Sequence, residues 1–129
     1  MIEEMSGVTS ALVKTALDGL AMQQRVIANN IANANSSGYT AQGMEFEAAL
    51  RAAAQRHGDE PAADVKARLR QLSAAIDNGE LVHATDNIGV KLDIEMALLN
   101  QTVLKYQALV QAMGQFGSLR AMAISGEIK

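Results

Sequence analysis

This chain has no cysteine and no tryptophan, and aromatic residues make up only 3% of it. Without cysteine there can be no disulfide and no thiolate metal site, and the redox compartment stays open. The only aromatic residues are Tyr39, Phe46, Tyr106 and Phe116. Large rings usually dominate core energetics, so their scarcity argues against a thick globular core. It favours long helices packed closely through small residues. Basic residues are in slight deficit, giving a formal charge of −3, and no basic stripe or stacking platform is visible. A nucleic-acid partner is therefore not expected. No apolar run approaches the roughly 18 residues that span a bilayer. The opening Met1-Ile2-Glu3-Glu4-Met5-Ser6-Gly7 is acidic and lacks a basic, then apolar, leader pattern. The expectation is a protein that stays in the cytoplasm, or one that leaves by a route needing no cleaved signal.

What remains is 129 residues, 49% of them apolar and mostly Ala, Leu, Ile, Val and Met, enough for one domain. The most informative stretch is residues 28–39, Ala-Asn-Asn-Ile-Ala-Asn-Ala-Asn-Ser-Ser-Gly-Tyr. Asn29, Asn30, Asn33 and Asn35 fall within seven positions at the end of a helical run. Asparagine is a poor residue for a helix interior because its amide competes for backbone hydrogen bonds. The same amide both donates and accepts. The cluster reads either as a recognition surface or as an asparagine-rich helix stop, since Asn and Gly are normal stoppers.

Residues 8–34 read as an amphipathic helix. Val13, Leu17, Leu20, Ile27 and Ile31 follow a 4-3-7-4 spacing, with Gln24 where an apolar residue is expected. That is a heptad-type seam, and Ala16, Ala21, Ala28 and Ala32 keep much of the remaining surface small. Gly38 is the expected positive-φ residue of the stop. A short helix is expected at about 44–56, broken by His57-Gly58. Asp59-Glu60-Pro61 is a start signal, and Val65, Leu69, Leu72 and Ile76 follow at helical spacing, giving a helix over 61–77. Its Lys66, Arg68 and Arg70 read as a solvated face. Asp77-Asn78-Gly79 is a turn. Glu80 to Gly89 has no reliable period and reads as a loop or a short extended piece.

The last segment is the most regular. Leu92, Met96, Leu99, Val103, Tyr106, Val110 and Met113 keep an unbroken 4-3 rhythm, which fades through Gly117, Arg120 and Ile124. It predicts a helix over about 91–124, roughly 50 Å long. Two long terminal helices with a modest middle cannot cover each other on every side. The expectation is a monomer only marginally ordered at both ends, completed by copies of itself or by related chains.

No catalytic constellation is visible. His57 and His83 are isolated in the polar middle and read as surface or loop histidines. Asp93 and Glu95 are two residues apart and point to different helix faces. There is no nucleophile beside a base and no phosphate-binding glycine loop. No cofactor, metal or small-molecule substrate is expected, and the chain reads as not an enzyme.

The asparagine tract with Gly38-Tyr39, placed after an N-terminal heptad helix, resembles the signature of the axial proteins of the bacterial flagellum, the rod and hook components. Val90-x-Leu92-Asp93-x-Glu95-Met96-Ala97, Leu104-x-Tyr106-Gln107-Ala108-Leu109-Val110 and Phe116-x-x-Leu119-Arg120 resemble the proximal-rod branch, as does Glu45-Phe46-Glu47-Ala48-Ala49-Leu50. The resemblance covers about 8–56 and 87–126. Ser36-Ser37, Thr40, Lys91 and Gly114-Gln115 depart from the usual pattern.

The resemblance implies an all-α fold in which long N- and C-terminal helices pair as a coiled coil, with a smaller, partly irregular middle region. The division would be 1–35, 36–90 and 91–129. It implies a structural subunit of the proximal rod that polymerises helically and transmits torque from the membrane ring to the hook. Its partners would be other copies, other rod proteins, the adaptor between ring and rod, and the flagellar type III export gate. Its place would be the periplasmic rod. The assembly residues would be Leu17, Leu20, Ile27, Asn29, Asn30, Ile31, Asn33, Asn35, Gly38 and Tyr39 from the first half. From the second half they would be Leu92, Met96, Leu99, Val103, Tyr106, Val110 and Met113. Another rod protein of the same family and a cytoplasmic helical adaptor or chaperone are the alternatives.

Overall fold

The computed structural model describes residues 2–126, and the side chains within 7–86 and 89–126. Its elements are α1 (Ile2–Ala32), β1 (Thr40–Met44), α2 (Glu47–Ala54), α3 (Ala62–Asp77), β2 (Val82–Ile88) and α4 (Leu92–Ser125). About 71% of the described residues are helical. The last three residues of the expected C-terminal segment, 127–129, lie outside the described residues. Among the described residues no helix is long and apolar enough to cross a membrane.

α1 is the spine. α3, α4, β1 and α2 all pack on it. Leu20 and Val26 are buried together with Met44, Phe46 and Ile76, and Leu50, Leu72, Tyr106 and Leu109 flank that cluster. Gly19 explains how α2 comes so close. A Cβ there would lie 2.8 Å from Cγ of the buried Phe46 and nearer still to two other ring carbons. A mid-helix glycine is unfavourable by about 1 kcal/mol relative to alanine. Here it opens the space in which the Phe46 ring sits.

α3 forms for reasons plain in its sequence. Pro61 precedes it with φ −63° and ψ 147°, a position where a missing N–H costs nothing. Gly79 ends it with φ 75°. Its N–H reaches the Ile76 carbonyl and the Glu80 N–H reaches the Ala75 carbonyl, each at 3.0 Å. That pair of bonds is a Schellman stop. Val65, Leu69 and Ile76 are buried, each contributing about 2 kcal/mol as an upper estimate. Thr15 of α1 is buried beside them and donates to the Leu69 carbonyl at 3.2 Å.

Two expectations need correction. The chain is not purely helical: β1 and β2 form an antiparallel two-stranded sheet, pairing Gln42 with Ala84, Gly43 with His83 and Met44 with Val82. A register shift between Thr40 and Gln42 is bridged by the Thr85 hydroxyl, which donates to the Ala41 carbonyl at 2.8 Å. Two strands alone are marginal. These are held by tertiary bonds, among them Gly89 N–H to the Tyr39 carbonyl at 2.9 Å.

The two terminal helices are also not equally short of burial. α1 is covered by α3 as well as α4, so Leu20 and Ile27 of its seam are buried within the chain and the rest of the seam is half-buried. α4 has less cover. Thr102 is its only buried residue, and every residue from Val110 to Gly126 is exposed.

Candidate assembly surface

Asn30 is the best-connected side chain of the asparagine tract. It leaves α1 one turn after Val26 and Ile27 on the same inward face, and only 1% of it is exposed. Its amide nitrogen donates to the Gln42 carbonyl at 2.8 Å and to Glu95 Oε2 at 3.2 Å. Its amide oxygen accepts from Gln42 N–H and from the Tyr39 hydroxyl, each at 2.9 Å. All four bonding positions of the amide are used. Towards Gln42 the side chain behaves as a peptide unit would, donating to one backbone group and accepting from the other. A single residue thus joins the end of α1, the turn, β1 and the first turn of α4.

The other asparagines work outside this node. Asn29 Nδ2 donates to the Tyr39 hydroxyl at 3.0 Å. Asn33 Nδ2 donates to the Asn29 carbonyl at 2.9 Å, which also accepts the Asn33 backbone N–H at 3.1 Å. The Asn33 amide oxygen accepts from Ser36 Oγ at 3.3 Å. Asn35 is exposed. Gly38 has φ 73° and open space around it. It takes the third place of a turn closed by Tyr39 N–H to the Ser36 carbonyl at 3.3 Å, where positive φ favours glycine.

The expected assembly residues of the helices separate into three groups. Leu20, Ile27 and Asn30 are buried within the chain. Leu17, Ile31, Leu99, Val103 and Tyr106 are half-buried at the packed end of the helices. Leu92, Met96, Val110 and Met113 are 43–52% exposed. The structure adds to the exposed set. Phe116, Leu119 and Ile124 are 39%, 56% and 78% exposed. Phe116 and Leu119 belong to a second row, Leu109-Ala112-Phe116-Leu119-Ala123, running beside the row that ends Val110-Met113. Sequence reading followed one row and missed its neighbour, although the 3-4-3-4 spacing is there to be counted. The α4 face that meets α1 at Leu99, Val103 and Tyr106 therefore continues past Leu109 as a broad apolar surface without cover. Over 111–126, Arg120 is the sole charged residue.

Sequence reading also missed Arg68, which is not a solvated cation. It pairs with Glu60 through Nη1, and again through Nη2 at 3.0 Å. It also donates to the carbonyls of Gln55 at 2.7 Å and Ala53 at 3.3 Å. The clamp ties the α2–α3 loop to α3. The Arg68 hydrogen bond, aided by the His57 backbone N–H, holds the Glu60 carboxyl down at about 2. A depressed carboxylate stabilises the fold above its ordinary range and loses that effect as pH falls towards the folded value. The expected titration midpoint of Glu60, followed by NMR at the His57 amide, is about 2, against about 4.3 in an unfolded chain. Glu60→Gln should abolish the titration, and a midpoint near 4 would show that the clamp does not form.

Among the described residues no group of three or more histidines and carboxylates could hold a metal ion. The conspicuous features are instead a satisfied polar node and an uncovered apolar helix face.

Residues 14–40, which carry most of α1 with the asparagine tract, the turn and Tyr39, match the family described as flagella basal body rod protein. Over that stretch the chain is similar to the structural proteins of the flagellar basal-body rod. Within that class it is similar to the flagellar basal body rod protein FlgB of Bacillus subtilis (strain 168). The two are 28% identical over 124 residues, spanning 89% of this chain and 92% of the relative.

Proposed function

We propose that this chain is a subunit of the proximal flagellar rod, which polymerises helically and transmits torque from the membrane ring to the hook. The observation that carries the reading is the second half of α4. A helix that runs from Val110 to Ser125 with its apolar face bare has the form of an element completed by other molecules. α1 and the first half of α4 already lie together, which suits a coiled coil extended in the assembled rod. On this reading 1–35 and 91–129 are the axial segments and 36–90 is the part displayed around them. The partners are further copies, other rod proteins, the ring–rod adaptor and the type III export gate, through which the chain reaches the periplasm.

The test is direct. Basal bodies isolated from flagellated cells that carry a tagged copy should contain the chain in the rod fraction. Deleting its gene should remove rod and hook together. Recovery of the chain only from the cytoplasm, with rods intact in the deletion, would favour an adaptor instead.

A further inference from the structure

One groove and one arm of this molecule both present apolar side chains but cannot meet within one chain. The groove lies along the flank where α1 meets the first half of α4, lined by Ala21, Arg25 and Ala28 on one side and Leu99, Val103 and Tyr106 on the other. The arm is the uncovered stretch of α4 that begins at Val110. α4 is a single unbroken helix from Leu92 to Ser125, so the arm points away from the groove that the same helix helps to build.

We infer that the arm of one copy lies in the α1–α4 groove of the next. This rests on the rod reading above and gives it a geometry. Continuity supports it. The stripe on the arm prolongs the stripe that α1 covers at Leu99, Val103 and Tyr106, so a surface of the same kind is its natural cover. The groove flank with Ala21 and Ala28 offers the small residues over which a helix can approach closely.

Area supports it as well. Val110, Met113, Phe116, Leu119, Met122 and Ile124 are between 38% and 78% exposed. At on the order of 150–200 Å² per fully exposed apolar side chain, the arm presents roughly 450–600 Å². That lies in the upper part of the range, about 300–600 Å², of the largest patch on a typical monomer, which is often functional. Buried against an equal area of groove it reaches about 1,000 Å², the threshold for a specific interface.

The symmetry follows. Arm and groove are different surfaces, so the contact is heterologous. Each copy donates an arm to one neighbour and receives an arm from another. Such contacts make rings or open helical filaments rather than closed dimers.

The absence of cysteine makes the test clean. Ala28→Cys in the groove is combined in turn with Met113→Cys, Phe116→Cys and Leu119→Cys in the arm, all at exposed positions. Basal bodies from cells that build their rods with these variants are treated with a short bismaleimide. At least one pair should give a ladder of dimers, trimers and longer species, while each single variant gives none. Gln24 also lines the groove, and Ala28→Trp, which fills the groove from its exposed edge, should erase the ladder given by Gln24→Cys with its matching arm cysteine. If the chain is in the rod but no pair ladders, or single arm variants link to themselves and stop at dimers, the arm–groove contact is wrong and the rod reading survives. If the unmodified chain is missing from basal bodies, both fall.

Discussion

Replacing Asn30 with alanine should loosen the junction of α1, turn, β1 and α4 together and lower the stability of the chain by about 2–4 kcal/mol. The substitution removes four hydrogen bonds at once. It leaves the N–H and carbonyl of Gln42 facing a small apolar gap, while the Tyr39 hydroxyl keeps its bond from Asn29. Each buried polar group left without a partner costs about 1–3 kcal/mol, more than the net value of the bond when formed. For a chain of this size the melting temperature should fall by roughly 10 °C. Asn33→Ala is the internal comparison. It removes a bond to the Asn29 carbonyl at an exposed helix end, where water replaces it, and should cost about 0.5 kcal/mol. Two neighbouring asparagines of one signature would then differ severalfold. Equal effects would show that Asn30 acts at the surface.

Asn30→Asp separates the loss of bonds from the loss of shape. Aspartate keeps the size and both acceptors but gives up the donors. It also sets a carboxylate where the amide now donates to Glu95 at 3.2 Å. Two like charges at that distance repel. A proton taken up by either relieves the repulsion and restores a donor. The folded variant thus binds protons more tightly than the unfolded chain, and its deficit relative to the parent should shrink as pH falls through the carboxylate range. Chemical denaturation at pH 7 and pH 4.5 checks this. A deficit that grows in acid would contradict the position assigned to Glu95.

These effects also mark where the sequence was legible. The helices were, because their cause is periodic. The 4-3 rows of α1 and α4, the spacing Val65-Leu69-Leu72-Ile76, and the stop at Asn78-Gly79 are local signals that tertiary structure did not override. The sheet was not. Thr40–Met44 reads Thr-Ala-Gln-Gly-Met, with no alternation and a glycine within it. It becomes a strand because Asn30 bonds both backbone groups of Gln42 and because Gly89 and Thr85 reach back to Tyr39 and Ala41. Those partners are 12 to 50 residues away, and strand preference expresses such context rather than intrinsic propensity.

The site was legible in part for the same reason. Four asparagines together announce a special place, but not which one turns inward. Asn30 follows Val26 by four and Ile27 by three, so the helix period does select it once the buried face is known. Glu95, its partner across 65 residues, left no mark that composition or spacing could reveal.

The complementary expectation concerns the arm. Phe116→Asp with Leu119→Asp should leave the monomer almost unchanged and prevent it from joining a rod. Neither side chain is part of the buried core, and exposed substitutions usually shift stability by less than about 0.5 kcal/mol. Circular dichroism and the melting temperature should therefore match the parent. In an interface the same carboxylates would be buried without a partner, at several kcal/mol each. Since about 1.4 kcal/mol is a factor of ten, a loss of 4 kcal/mol or more raises the concentration needed for association by roughly a thousandfold or beyond. Cells that depend on the variant should be non-motile and lack hooks, with the folded chain still present. Phe116→Leu, which keeps the surface apolar, should restore assembly. The contrast with Asn30→Ala is the point of the pair. One change takes fold and rod together, and the other takes the rod alone. Motility retained with both aspartates in place would mean that the bare face of α4 is not where the copies meet.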